Sequence, residues 1–236
     1  MPAPTSAVPV PKAVLFDAYG TLFDVYSVGA LAEALFPGHG ERLGALWRDK
    51  QIEYTRLVSM SGQRRSFRDL TRAGLRWAAQ RLGLALTADS EARLMKQYEA
   101  LALFPENAGV LAELGRRGVR AGILSNGDPD MLEPLVAHAG LGGVLDPVLS
   151  VQETGRFKTD PATYALGPRA LGLPARDILF VSSNCWDAIG ATWHGYTTLW
   201  VNRAGLPLDA LDTEPVRIGT SLAAVLDFFP PLPLSP

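Results

Sequence analysis

The stretch VLFDAYGTLFD, Val14–Asp24, opens on an apolar run that stops at a carboxylate, Asp17, followed by a small residue, an aromatic, a glycine and a threonine. With Ala13 before it, the run reads as a short strand buried on both faces, the signature of a parallel sheet covered by helices. An acid at the tip of such a strand sits where open parallel sheets gather their ligands, beyond the carboxyl ends of the strands.

Downstream, the segment from about Ser27 to Leu101 shows helical spacing and no strand. GERLGALWRDKQIEYTRLVSM places Leu43, Leu46, Trp47, Tyr54, Leu57 and Val58 three and four apart. SFRDLTRAGLRWAAQRLG repeats the pattern, and Thr87 is a candidate N-cap for TADSEARLMKQYEAL. After Pro105 strands and helices alternate: a helix over Ala108–Arg117, the strand VRAGILSN, the helix PDMLEPLVAHAG, the strand PVLSV, a helix near Pro161–Leu171, the strand DILFVSSN, CWDAIGATWHG, the strand TTLWVN, and a last helix near SLAAVLDFF. Such alternation predicts an α/β fold, a Rossmann-like core with a parallel sheet flanked by helices. The all-helical segment is an inserted cap. The predicted organisation is an arm over 1–12, a core over 13–23 and 105–229, a cap over 24–104 and a tail over 230–236.

Composition narrows the function. The 236 residues are 47% hydrophobic, enough for a substantial core, and no apolar run approaches the roughly 18–20 residues that span a bilayer. MPAPTSAVPVPK has neither a charged leader nor a long apolar region, so no secretion signal is read there; like PPLPLSP at the other end, it reads as a frayed segment. A formal net charge of −2 argues against a nucleic-acid surface. The single cysteine, Cys185, has no partner for an intramolecular disulfide and reads as a packing residue. Cytoplasmic residence fits that usage. His39, His138 and His194 are too scattered to predict a metal site.

Polar residues collect at the strand ends. Asp17 and Thr21 follow the first strand, Ser125-Asn126-Gly127 the second, Lys158 the third in GRFKTD, and Ser182-Ser183-Asn184 with Trp186 and Asp187 the fourth. Each motif alone is ordinary turn chemistry; four in this order point to one site.

FDAYGTLFD, LSNGDP, the lysine of FKTD, FVSSNCWDA and the helical ALWRDKQIEYTRL together resemble the haloacid dehalogenase superfamily, specifically its (S)-2-haloacid dehalogenase branch, from about Ala13 to Asn202. Phosphatases of that superfamily carry a second aspartate two residues after the nucleophile; here the position holds Tyr19. Their later acidic pair is reduced to Asp187, a poor donor set for a hard cation that wants several oxygens. Halide departs without a proton, so the missing acid suits dehalogenation with no metal and no cofactor.

The resemblance implies that Asp17 is the nucleophile, oriented by Thr21 and charged beside Lys158, which Asp187 holds. It implies Arg48, with Asn126 and Trp186, as the cradle for the halide. Ser125 and the backbone N–H groups from Ala18 onward are implied for the substrate carboxylate. Tyr164 stands where the family's site tyrosine sits, Ser182 and Asn184 brace the floor, and Tyr19, Ile52, Phe67 and Trp186 form an apolar wall. It further implies a small 2-haloacid and halide as partners, and a homodimer. From helical patterning alone Arg48 reads as a solvated residue, and Ile52, Phe67 and Tyr164 as core. Asp49 beside Arg48 is expected to weaken anion capture or shift size preference, and Thr159, where relatives commonly carry proline, to loosen the lysine loop. The rival readings are a metal-dependent phosphatase of the same superfamily and a catalytically silent binding protein on its scaffold.

Overall fold

In the computed structural model, which describes residues 10–230, six strands form one parallel sheet. They are β1 (Ala13–Phe16), β2 (Arg120–Ser125), β3 (Val148–Ser150), β4 (Ile178–Ser182), β5 (Thr197–Val201) and β6 (Arg217–Gly219). Their order is β3-β2-β1-β4-β5-β6. β1 is central: Phe16 pairs with Ile123 of β2 on one side and Val181 of β4 on the other. All four of its side chains are fully buried, as expected of a strand with helices on both faces. That register brings Asp17 level with the ends of β2 and β4, and the Asp17 N–H donates to Val181 O at 2.9 Å.

Between β1 and β2 lie α1 (Gly29–Leu35), α2 (Gly40–Met60), α3 (Phe67–Arg81) and α4 (Ala88–Gln97), with no strand among them. α2 runs over the stretch whose spacing predicted it. α3 begins at Ser66, whose hydroxyl accepts from Asp69 N. Thr87 is the N-cap of α4, in a reciprocal capping box with Ser90. Thr87→Ala is expected to cost about 1 kcal/mol, a fall of roughly 2–4 °C in the thermal midpoint for a chain of this size; a shift under 1 °C would mean the box adds nothing.

The helices of the second half are α5 (Asn107–Arg116), α6 (Pro129–His138), α7 (Pro161–Tyr164), α8 (Leu166–Leu171) and α9 (Cys185–Trp193). The single helix expected near Pro161–Leu171 is two, because Pro168 has no N–H to give the Tyr164 carbonyl. The Tyr196 hydroxyl donates to that carbonyl instead, at 2.6 Å. The last helix, Leu222–Phe228, is 3-10 rather than α, and the Arg117 guanidinium takes the carbonyls of Leu226 and Phe229. β6 had no sequence signal: its residues are largely exposed, and it joins β5 through the backbone.

Of the arm expected over 1–12, residues 1–9 lie outside the described residues. Pro11 is buried, and Lys12 donates its N–H to Asp177 O at 2.7 Å, so the chain is tied down two residues before β1. The tail expected over 230–236 lies outside them except for Pro230.

The helical segment is fastened to the core next to the strand ends. The Asp128 carboxylate, just past β2, accepts the N–H groups of Phe67 and Arg68 at the start of α3, at 3.1 and 2.8 Å. Burial pushes the Asp128 carboxyl above its ordinary value, against the pull of those two N–H donors. Pro134 inside α6 leaves the Asp130 carbonyl without its helical donor. Arg68 fills that gap at 3.1 Å and pairs with the Asp130 carboxylate at 2.9 Å.

Candidate active site

Asp17 stands at the end of β1 with its side chain 9% exposed. Its two oxygens are held differently. Oδ2 accepts from the Thr21 hydroxyl and the Asn184 amide, both at 3.0 Å. Oδ1 accepts from Lys158 Nζ at 3.1 Å. Thr21 is aimed by the turn after β1 and by Ser183, whose N–H donates to Thr21 Oγ1 at 2.8 Å.

Lys158 is buried, and its ammonium bridges two carboxylates, reaching Asp187 Oδ2 at 3.0 Å. Burial pulls the lysine pKa down, but the adjoining Asp17 and Asp187 charges outweigh it and hold the ammonium above the ordinary lysine value. Asp187 is itself raised by complete burial, against the opposing pull of Lys158. The lysine is held protonated, because its two carboxylate partners sit at hydrogen-bond distance on either side. Tyr164 donates to Asp187 Oδ1 at 2.7 Å, so both oxygens of Asp187 are engaged. Burial and the Asp187 charge push the Tyr164 phenol well above its ordinary value, keeping it a donor.

The lysine loop is pinned on both sides: Lys158 N donates to Asn126 Oδ1 at 2.9 Å, and Phe157 N to the Ser59 hydroxyl of α2 at 2.7 Å. Thr159 follows this tethered segment. Asp49 faces solvent, whereas Arg48 beside it is buried.

Arg48, on α2, reaches down to the strand ends. NH2 donates to Tyr19 O at 3.0 Å and to Asn184 Oδ1 at 3.5 Å, and NH1 donates to Gln51 Oε1 at 2.7 Å. The bland reading of Arg48 as a solvated residue thus fails, and contacts to Tyr19 and Asn184 bring the guanidinium next to Asp17's own partners. Tyr19 stacks on Phe67 with ring centroids 5.2 Å apart and lies 6.0 Å from Tyr98, building one apolar wall. Burial pushes the Tyr19 phenol far above its ordinary value, so it offers neither a carboxylic acid nor a base. Gly127 makes that packing possible, since a Cβ there would lie 2.8 Å from the Tyr19 ring.

Four expected residues act through the backbone or stand further out. Ser125 and Ser182 are buried, and their hydroxyls accept the N–H groups of Gly127 and Asn184 at 3.1 Å each, shaping the turns after β2 and β4. Trp186, half-buried, lies under Arg56 of α2 at 5.0 Å. Ile52 is half-buried on α2. The sequence reading passed over Gln51, Asn107 and Arg203, and gave Ser183, within the fourth strand-end motif, no role of its own. Asn107 and Arg203 both donate to Thr21 O, at 3.2 and 3.1 Å. Gln51 had a signal, its place three residues after Arg48 on one helix face; Asn107 and Arg203 had none.

The donor set does not suit a divalent cation. Asp17 and Asp187 are the acids at the site, and a buried ammonium already lies between them. Among the described residues no group of three or more His, Cys, Asp or Glu side chains comes together.

A haloacid dehalogenase-like hydrolase family model matches residues 11–195. The chain belongs to that family. Among its curated relatives, an (S)-2-haloacid dehalogenase from Pseudomonas sp. (strain YL) is 44% identical over 218 residues, 92% of this chain and 94% of the relative. Among solved structures, the L-2-haloacid dehalogenase RSc1362 superposes with a TM-score of 0.90 at 55% identity, covering 93% of this chain and 98% of that one. The L-2-haloacid dehalogenase from Xanthobacter autotrophicus with chloropropionic acid covalently bound gives 0.85 at 36% identity, covering 91% and 96%. The parallel core and helical cap expected from the order of strands and helices are thus shared with structures of the dehalogenase branch.

Proposed function

We propose that this protein is a hydrolase of carbon–halogen bonds that converts (S)-2-haloalkanoic acids to (R)-2-hydroxyalkanoic acids and halide. One observation carries the reading: Asp17 lies buried against an ammonium, with Tyr19 where a leaving-group acid would stand. An alkoxide or phosphate ester needs that acid, and a halide does not. The covalent chloropropionic acid adduct of the Xanthobacter autotrophicus relative supports the same route.

In this reading Asp17 attacks C2 from the side opposite the halogen. The new C–O bond forms as the C–halogen bond breaks, the halide leaves with the electron pair, and the carbon inverts. Oδ1 is the favoured nucleophile, because it accepts one hydrogen bond, from Lys158, where Oδ2 accepts two, from Thr21 and Asn184. Arg48 supplies the positive seat for the halide, and the Asn126 amide NH2, its Oδ1 taken by Lys158 N, is its second donor. The Ser125 hydroxyl and the Ala18 and Tyr19 N–H groups serve the substrate carboxylate. Tyr19, Phe67, Ile52 and Trp186 surround the alkyl group. Lys158, held by Asp187 and Tyr164, offsets charge on Asp17 and then on the tetrahedral intermediate formed when water attacks the ester carbonyl. The segment 24–104, carrying Arg48 and Phe67, acts as a cap over residues of 13–23 and 105–229.

Because water attacks the ester carbonyl, the product keeps an Asp17 oxygen. A single turnover in 18O-labelled water is expected to give unlabelled 2-hydroxy acid and to leave one label on Asp17. Labelled product in the first turnover would rule the ester out. The cytoplasmic residence that fits the cysteine usage and the homodimer implied by the family resemblance stand as further parts of this reading, the second tested by mass in solution.

A further inference from the structure

Arg48 is 7% exposed, and every acceptor it has among the described residues is neutral: two carbonyl-type oxygens, of Tyr19 and Asn184, and the side-chain oxygen of Gln51. Buried arginines usually rest on carboxylates, which satisfy the N–H groups and cancel the charge together. Here the first is done without the second.

Gln51 is fully buried and its amide orientation is forced. Guanidinium only donates, so Oε1 must face Arg48. That turns Nε2 toward Thr71, donating to Oγ1 at 2.6 Å, and Thr71 donates its own proton to Phe67 O at 2.7 Å. The chain of donors has one sense, from Arg48 through Gln51 and Thr71 to the backbone of α3. Trp47 Nε1 closes the same seam by donating to Thr71 O at 2.7 Å. Gly74 permits the close approach of the helices, since a Cβ there would lie 3.3 Å from Gln51 N and Trp47 O.

We infer that Gln51 is a positioning residue for halide departure: its neutral amide fixes the Arg48 guanidinium while leaving the full positive charge to the departing anion. The inference rests on the dehalogenase reading and adds to it a residue, and a requirement that this residue be uncharged.

The test compares Gln51→Glu with Gln51→Met. Glutamate keeps the size and the acceptor but brings a negative charge against Arg48. Methionine keeps neutrality and loses the acceptor. Glutamate also turns an oxygen on Thr71 Oγ1 in place of the amide donor, so a merely structural role lowers activity on every substrate alike and leaves bromide inhibition unaltered. The charge argument makes the loss depend on the departing halide. On (S)-2-chloropropionate we expect kcat to fall roughly 10²-fold for Gln51→Glu, the scale of losing one aligned donor to a developing anion, and about tenfold for Gln51→Met.

Bromide needs less help to leave, so the loss on (S)-2-bromopropionate should be several-fold smaller for Gln51→Glu. Inhibition by added bromide, at constant ionic strength, should weaken at least about tenfold in that variant. Equal losses on the two substrates with unaltered bromide inhibition, or a milder effect of glutamate than of methionine, overturns the proposal. Should Gln51→Glu not fold, bromide inhibition of Gln51→Met decides, and an unchanged value overturns it. Wild-type protein that releases no halide would show instead that the dehalogenase reading itself had failed.

Discussion

Halide release by Asp17→Asn is expected to fall by at least about 10⁴-fold, the scale on which covalent catalysts respond to removal of the nucleophile. The substitution is nearly isosteric, so the amide still accepts from Thr21 and the β1 end keeps its shape. What is lost is a lone pair basic enough to displace halide from C2. Lys158 keeps its pairing with Asp187, so the ammonium stays compensated and the protein stays folded. Chloride release from (S)-2-chloropropionate measures the loss, and a thermal midpoint within a few degrees of wild type assigns it to chemistry. A variant retaining a tenth of the activity would mean that water attacks C2 directly and that Asp17 only positions it.

That prediction draws on residues legible in the chain before any coordinates. An apolar run ending in an acid marked β1, because a strand buried on both faces carries an unbroken apolar run, and the strand-end rule then located the site. α2 was legible because a half-buried helix must repeat apolar residues every three or four positions. The parts that could not be read are those in which tertiary partners override local pattern. Pro168 splits a helix whose freed carbonyl Tyr196 supports from elsewhere in the chain. β6 is recognised through backbone pairing with β5, which leaves no periodicity in three residues.

The site shows the same division. Asp17, Lys158 and Asp187 are separated in sequence but announced by their strand ends, whereas Arg203 and Asn107 support Thr21 through its carbonyl, a contact with no sequence signature. Arg48 illustrates it best: helical patterning places it in solvent, and only the packing of α2 over the strand ends buries it. The candidate catalytic groups on the sheet are therefore more readable than those on the inserted helices, whose orientation depends on contacts such as Asp128 with the start of α3.

Lys158→Met is expected to destabilise the protein as well as silence it. With the ammonium gone, the carboxylates of Asp17 and Asp187 are left in a low-dielectric site with no counter-charge. Removing one partner from a buried pair costs about 3–5 kcal/mol, and in a chain of this length that lowers the thermal midpoint by roughly 6–20 °C. Adding Asp187→Asn to Lys158→Met removes one stranded charge and is expected to recover part of the midpoint and none of the activity. A single variant that melts within 2 °C of wild type would show that the two acids do not depend on the ammonium.

The pH dependence gives an independent sign. Lys158 is raised in the folded protein, so its stabilisation is complete below the ordinary lysine value of about 10.4 and is lost as pH rises through the higher folded value. The buried Tyr164 phenol is raised too and adds its own loss in alkali, so the reading lies in the difference between proteins. Toward acid the variant's stranded carboxylates take up protons and narrow the stability gap between wild type and Lys158→Met; toward alkali the gap should narrow only above about pH 10.4. A gap that narrows as pH rises through about 8 would mean that the lysine is already shedding its proton there, and an uncharged amine could not hold Asp17 and Asp187 together.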